Sequence, residues 1–218
     1  MTRWLALLAG LAVGLLALLP ARLLLPAPPL SAANVEGSIW QARLATAGLG
    51  GARLGDLEIG LMPAALLNGR AQWQVAGAAS GRLWRSLAGA GIDEINGTLA
   101  GAPLAGLPVN AVELAGVSIA LDGRGRCQSA SGAITVTLAM PLAGQRTLSG
   151  APRCDGGALS VPMASGDGRV RLDLAAMASG WQARLAVSGA GPAEAAALSG
   201  AGFRSEGGTL VRQEEQPW

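Results

Sequence analysis

Short segments in which apolar and polar residues alternate recur along most of the chain. In one of them Val170, Leu172 and Leu174 share one face, and charged residues occupy the positions between them. Alternation with a period of two is the pattern of a half-buried β-strand. The pattern predicts strands at residues 38–46, 54–61, 69–77, 112–121, 133–138 and 169–174. Because each segment has one apolar face, we expect a mostly antiparallel sheet.

Glycine falls at intervals between these segments, as turns do in a protein of many strands. Long amphipathic helical runs do not separate the segments, so a parallel sheet with crossover helices is not favoured. Residues 63–68 and 86–91 are predicted to form helical turns. We expect Trp40, Trp73 and Trp181 to be at least partly buried, because each lies in an alternating run.

The N-terminal region carries a different pattern, an uncharged Leu/Ala-rich run at residues 4–21, with Arg3 before it and Arg22 after it. As a helix the run would be ~27 Å long, close to the ~30 Å hydrocarbon core of a bilayer. A cleaved signal ending near residues 31–33 is the alternative. Several prolines separate that site from the apolar run, so we favour an uncleaved anchor.

This pattern divides the chain into four parts. Residues 1–25 are a cytoplasmic stub and transmembrane anchor, 26–36 a Pro-rich linker, 37–212 an exported β-domain and 213–218 a polar C-terminal tail. In the anchor, small residues recur every four positions, a spacing that lets membrane helices pack closely. These residues are Ala6, Gly10 and Gly14, and the same spacing also arises by chance in Ala/Gly-rich helices.

An internal repeat is also present. The pentapeptide at residues 40–44 recurs without change at residues 181–185. It indicates either two related half-sheets or chance convergence of similar strands.

Composition and charge exclude several functions. The formal net charge is +2 and the basic residues are scattered singly, so the sequence shows no basic patch for nucleic acid or anionic lipid. There is no histidine, and nucleotide-binding or nucleophile motifs are absent. The carboxylate pairs Asp56/Glu58 and Asp93/Glu94 fit a solvated strand face and a turn better than a glycosidase. We predict no catalytic residue, cofactor or metal site.

Two cysteines, Cys127 and Cys154, are the only ones in the chain. Cysteines of an exported domain can be oxidised, and each of these two lies next to a turn-like sequence. We therefore predict a disulfide between neighbouring strands. Two buried free thiols are the alternative. Without histidine, two cysteines leave a tetrahedral zinc site short of ligands.

The order of these features resembles the type II secretion system protein N family. The anchor and its prolines are followed by residues 35–43, which are similar to the family's Gly-[Thr/Ser]-hydrophobic-Trp-x-Gly segment, with Ala42 in place of the last Gly. Residues 54–70 are similar to its strand-Pro-x-x-Leu-Leu-x-Gly stretch. The likeness is good through about residue 75, and beyond it only the general style of the sequence is similar.

This resemblance implies a single-pass protein of the bacterial inner membrane with its main domain in the periplasm. It implies a non-enzymatic scaffold or accessory subunit that contacts other secretion subunits, with the inner-membrane platform as the first candidate and the secretin as the second. It also implies kinship with AsmA-like proteins, whose curved sheets offer an apolar groove. The alternative function is therefore a periplasmic lipid-binding or lipid-transfer module.

Overall fold

A single antiparallel sheet of sixteen strands dominates the part of the chain that the structure describes. The structure is a computed structural model, and it describes residues 30–49, 52–100, 107, 109–140, 144–177 and 180–217. The prediction of a mainly β, antiparallel protein is confirmed.

Most of the strands are between five and fourteen residues long. The strands are β1 Leu30–Ser31, β2 Asn34–Ser38, β3 Gln41–Leu49, β4 Ala52–Leu61, β5 Arg70–Gly77, β6 Ala79–Ser86, β7 Gly89–Ala100, β8 Val109–Asp122, β9 Cys127–Met140, β10 Gly144–Gly150, β11 Arg153–Asp155, β12 Ala158–Ser165, β13 Val170–Met177, β14 Gly180–Ser188, β15 Arg204–Glu206 and β16 Thr209–Pro217. The described helices are α1 Pro63–Leu66 and α2 Pro192–Gly200.

Strands that follow one another in the chain mostly lie side by side in the sheet. The order is β1-β3-β4-β5-β6-β7-β8-β9-β10-β12-β13-β14-β16-β15, and β2 also pairs with β3 and β11 with β12. Strands β10 and β11 lie end to end along β12, since Leu148 pairs with Ser165 and Arg153 pairs with Ser160. Pro152 lies between these two strands, and a proline cannot donate a ladder hydrogen bond. Because neighbouring strands of this meander run in opposite directions, alternate connections lie at opposite ends of the sheet.

The structure corrects two sequence predictions of local structure. The strand predicted at residues 38–46 is confirmed from Gln41 onward, but Ser38 ends β2 and pairs with Gln41, so the two residues between them form a hairpin turn. The helical turn predicted at residues 86–91 is the hairpin between β6 and β7. In both places a two-residue turn of apolar side chains carries no Gly, Asn or Asp signal. The helical turn at 63–68 is confirmed as α1.

Helix α2 was not predicted, although its signals are present. Pro192 opens it and the chain ends it with a Schellman motif, in which Phe203 N–H donates to the Leu198 carbonyl at 3.0 Å and Gly202 N–H donates to the Ser199 carbonyl at 3.1 Å. Gly202 adopts φ +90°, the backbone region that this motif requires. Leu198 and Phe203 are buried together, so the helix end is fixed by packing as well as by hydrogen bonds.

The core follows one face of the sheet and divides into two clusters. The larger cluster joins residues of β8 to β16 with α2, and Val136, Leu138 and Leu172 in it are fully buried. The smaller cluster joins β3, β4 and β5 around Leu44. Trp40, Trp73 and Trp181 are at least half-buried, as predicted.

The sheet extends beyond the predicted limits of the β-domain, 37–212. Strand β1 and the first three residues of β2 lie in the segment expected to be a linker, and β16 continues through Pro217 in the segment expected to be a tail. A ladder to β14 orders that polar segment, because backbone pairing does not depend on apolar side chains.

The predicted anchor, with Ala6, Gly10 and Gly14, lies outside the described residues. Among those described, no helix is long and apolar enough to cross a membrane.

The two copies of the pentapeptide share the exposure pattern at four of five positions, since Gln41 is exposed whereas Gln182 is half-buried, and Trp40 lies in the turn before β3. Leu44 and Leu185 are buried, whereas Arg43 and Arg184 are exposed and form ion pairs with a glutamate of another strand at 3.6 and 2.9 Å. Their surroundings differ, because β3 pairs with β2 and β4 whereas β14 pairs with β13 and β16.

Candidate functional site: an apolar groove beside the disulfide

An apolar groove lies where β7 and β8 face β12 and β13. Its volume is about 510 Å³, within the range of small-molecule sites. Aliphatic side chains dominate the lining, which consists of Gly91, Ile92, Ile119, Leu121, Arg124, Gly125, Leu159, Ala176 and Met177. The site could therefore hold an apolar ligand, with one guanidinium at its edge.

The groove shows that the sheet curls. Strands β9, β10 and β11 separate β8 from β12 in the sheet order, yet β8 and β12 line one space. Register shifts interrupt the pairing of β7 with β8 and of β8 with β9. Such β-bulges bend strands and increase their twist, which supplies the curvature.

Polar contacts stabilise the bulge between β7 and β8. The Asn96 side chain donates to the Glu94 carbonyl at 2.8 Å and accepts from Gly116 N–H at 2.7 Å. Ser118 Oγ accepts a hydrogen bond from Glu94 N–H at 2.9 Å. Glu94 adopts φ +53°, a conformation that these contacts support.

Each wall of the groove is made by paired residues of neighbouring strands. Ile92 pairs with Ile119 in one wall, and Leu159 pairs with Ala176 in the other. Directly paired residues in antiparallel strands point to the same face, so these apolar side chains converge on the groove.

The disulfide joins the two strands that lie between the walls. Cys127 and Cys154 are bonded, with 5.4 Å between their Cα atoms, which confirms the predicted bridge. Cys127 pairs with Leu121 of one wall, and Cys154 pairs with Leu159 of the other. Cys127 N–H also donates to the Gly157 carbonyl at 2.7 Å. The covalent bond therefore fixes the distance between β9 and β11, and through their pairing it also holds the wall strands β8 and β12 apart.

The turn between β8 and β9 carries the charge at the groove edge. Asp122 Oδ1 accepts hydrogen bonds from the N–H groups of Arg124 and Arg126 at 2.8 and 2.9 Å, and its Oδ2 accepts from Arg126 Nε at 2.8 Å. These bonds, chiefly the one from the Arg126 N–H, lower the pKa of the Asp122 carboxyl. Because Asp122 is occupied by Arg126, the exposed Arg124 side chain has no carboxylate partner among the described residues.

The carboxylates considered from sequence have structural partners and lie outside the groove lining. Asp56 Oδ1 accepts from Thr46 N–H at 3.0 Å, and Glu58 pairs with Arg43. Asp93 Oδ1 accepts from Trp84 Nε1 at 3.1 Å, whereas Glu94 pairs with Arg82. In the part of the chain that the structure describes, no three His, Cys, Asp or Glu residues cluster as metal ligands would.

The groove itself has no signature in the sequence. Ile119 and Leu121 lie in a predicted alternating run, but Leu159 and Met177 lie outside the predicted strands. Nothing in the local pattern shows that strands 40 residues apart would face each other. Only the bulges and the curl bring them together.

Fold and groove together define a large meandering antiparallel sheet with one apolar ligand-sized groove among its described residues. The family model described as "Type II secretion system (T2SS), protein N" matches residues 28–211, and the chain belongs to this family. The resemblance noted over the first 75 residues therefore extends over most of the chain. Neither the curated proteins nor the solved structures gave a match.

Proposed function

We propose that the protein is a non-enzymatic accessory subunit of type II secretion that scaffolds other subunits. The observation that carries this proposal is the family match over residues 28–211, which gives the protein a role in type II secretion. A broad sheet with two open edges offers long surfaces to neighbouring subunits. The inner-membrane platform is the partner we favour, followed by the secretin.

We further propose that one N-terminal helix holds the protein in the inner membrane, with the β-domain in the periplasm. The apolar run at residues 4–21 supports the anchor. The Cys127–Cys154 disulfide supports an oxidising compartment for the β-domain.

Deletion of the gene and complementation test the secretion role. We expect loss of the subunit to reduce export of a type II substrate, and in-cell crosslinking from the exposed edge strand β2 to capture platform subunits. Unchanged export together with no crosslink to any secretion subunit would contradict the proposal. A gene neighbourhood containing secretin and pseudopilin genes would support it.

The groove favours a second candidate function, the binding of a lipid acyl chain. Its aliphatic lining suits a hydrocarbon chain, and Arg124 at the edge suits an anionic headgroup. A volume of about 510 Å³ is ample for one such chain, though not for a continuous lipid channel along the sheet.

Lipid retained by the purified full-length protein tests this candidate. We expect native mass spectrometry to find bound lipid, and Met177→Glu at the groove edge to reduce it several-fold, because a carboxylate there would be desolvated. Gln145→Glu adds the same charge on the exposed start of β10, away from the groove, and should leave lipid content unchanged. Equal lipid in all three proteins would reject the groove as a binding site.

A further inference from the structure

Exposed apolar side chains gather at one end of the sheet. Within the described residues the strongly exposed large apolar side chains are Leu66, Leu67, Leu87 and Met177, and Leu67 and Leu87 are 89% and fully exposed. Leu66 and Leu67 follow β4, Leu87 follows β6, and Met177 ends β13. In an antiparallel meander, these positions share the same end of the sheet.

We call this end the apolar rim and define it by the connections β4–β5, β6–β7, β8–β9 and β11–β12, together with Met177 at the end of β13. The chain enters the sheet at the opposite end, because Leu30 pairs with Leu49 at the far end of β3. The groove opens toward the apolar rim, since Arg124 and Met177 contribute to both.

The apolar rim also gathers arginines that are scattered in the sequence. Arg70, Arg85, Arg124, Arg126 and Arg153 lie within three residues of its connections, against Asp122 and Asp155. Among described residues only Arg126 of these five forms an ion pair, with Asp122. At the opposite end Arg146 pairs with Asp167 and Arg169 with Glu194, whereas the exposed Arg171 forms no ion pair with a described residue. Five arginines and two aspartates give the apolar rim a formal charge of +3, although the basic residues are scattered singly in the sequence.

We propose that the apolar rim docks on the surface of a membrane that contains anionic phospholipid. The leucines would enter the headgroup region and the arginines that form no described ion pair would contact phosphates, a combination of apolar and cationic groups that binds such surfaces. The leucines protrude from two separate connections, Leu66 and Leu67 from β4–β5 and Leu87 from β6–β7, and the segment between these connections carries Arg70 and Arg85. That arrangement suits a fluid surface better than a protein interface, whose apolar core is contiguous.

Vesicle capture tests the proposal with the full chain. The protein is reconstituted in phosphatidylcholine donor vesicles, and dye-labelled acceptor vesicles of phosphatidylcholine with or without phosphatidylglycerol are added. We expect capture of the phosphatidylglycerol vesicles and a loss of roughly ten-fold or more in Leu67→Ser/Leu87→Ser. Ala76→Ser/Ala78→Ser, exposed at the opposite end, should capture as the wild type does.

A charge-matched pair tests the arginines. Arg85→Gln/Arg153→Gln should reduce capture several-fold and weaken its salt dependence, whereas Arg171→Gln/Arg204→Gln removes the same charge elsewhere and should not. If the chain fails to insert into donor vesicles, flotation with the same acceptors measures rim binding directly. Absence of binding, equal binding by the leucine variant, or self-association of the chain in place of vesicle capture would overturn the proposal.

Discussion

Gly91 shows at the scale of one residue how closely the strands beside the groove approach. A Cβ atom at Gly91 would lie 2.7 Å from the Trp84 ring and would also collide with the Ile119 carbonyl oxygen. The same indole ring is held by Asp93 and lies under Arg70, whose guanidinium carbon is 4.3 Å from the ring centroid. A side chain at Gly91 would therefore disturb several contacts at once.

We expect Gly91→Ala to destabilise the protein by about 1–3 kcal/mol, the usual range for overpacking. The control is Gly200→Ala, where an added Cβ meets no atom within 4 Å. Thermal unfolding followed by circular dichroism measures both. Equal stability of the two variants would mean that β6 and β8 can move apart around Gly91 at little cost in free energy.

Asp122 gives a prediction about pH. Its pKa is lowered in the folded protein, so its stabilising contribution is complete above the ordinary aspartate value of 3.8 and is lost as the pH falls through the lower, folded value. Asp122→Asn should therefore lower the melting temperature at about pH 6 but match the wild type near pH 2.

The control for Asp122 is Asp155→Asn, which removes a charge from the neighbouring hairpin without removing a described hydrogen bond. Its unfolding curve should follow the wild type across the same pH range. Parallel curves for wild type and Asp122→Asn would contradict the proposed role of the turn.

At the scale of elements, the disulfide compensates for a broken ladder. The pairing of β9 with β10 ends at Ile134 and Gly150, and beyond that point the bond between Cys127 and Cys154 joins β9 to β11. The bond closes a loop with a sequence separation of 27 residues.

We expect Cys127→Ser to destabilise the protein by about 3 kcal/mol through the loop-closure effect. Cys154→Ser and reduced wild type should behave alike, and membrane insertion should be unchanged. Recovery of both cysteines as alkylatable thiols without prior reduction would contradict the bridge.

Helix α2 depends on one anchoring side chain. Leu198 is fully buried, and it is the one helical residue of α2 in the core. We expect Leu198→Ala to cost about 2–5 kcal/mol. The same truncation at the exposed Leu67 should change stability by less than about 0.5 kcal/mol, and denaturant unfolding of both variants measures the difference.

At the scale of the whole molecule, we predict the topology of the chain in the membrane. We expect a reporter fused after Trp218 to be active in the periplasm and the mature protein to keep residue 1 as its N-terminus. A mature N-terminus at Asn34 would contradict the anchor and favour a cleaved signal.

The sequence by itself determined the properties that depend on local pattern. Alternation around Val170, Leu172 and Leu174 determined a half-buried antiparallel strand, because the two-residue period of side chains is local. The single pair of cysteines in an exported chain indicated a disulfide without knowledge of the strand order. Turns without Gly, Asn or Asp, such as Ile39-Trp40, lacked a local signal and were missed.

Tertiary structure alone decided where distant residues meet. Ile119 and Leu159 share a groove because bulges curl the sheet. Arg85 and Arg153 gather at one rim because the meander returns every second connection to the same end. The lengths of the strands and the register of their pairing determine which distant residues come together. The alternation within a single segment specifies neither.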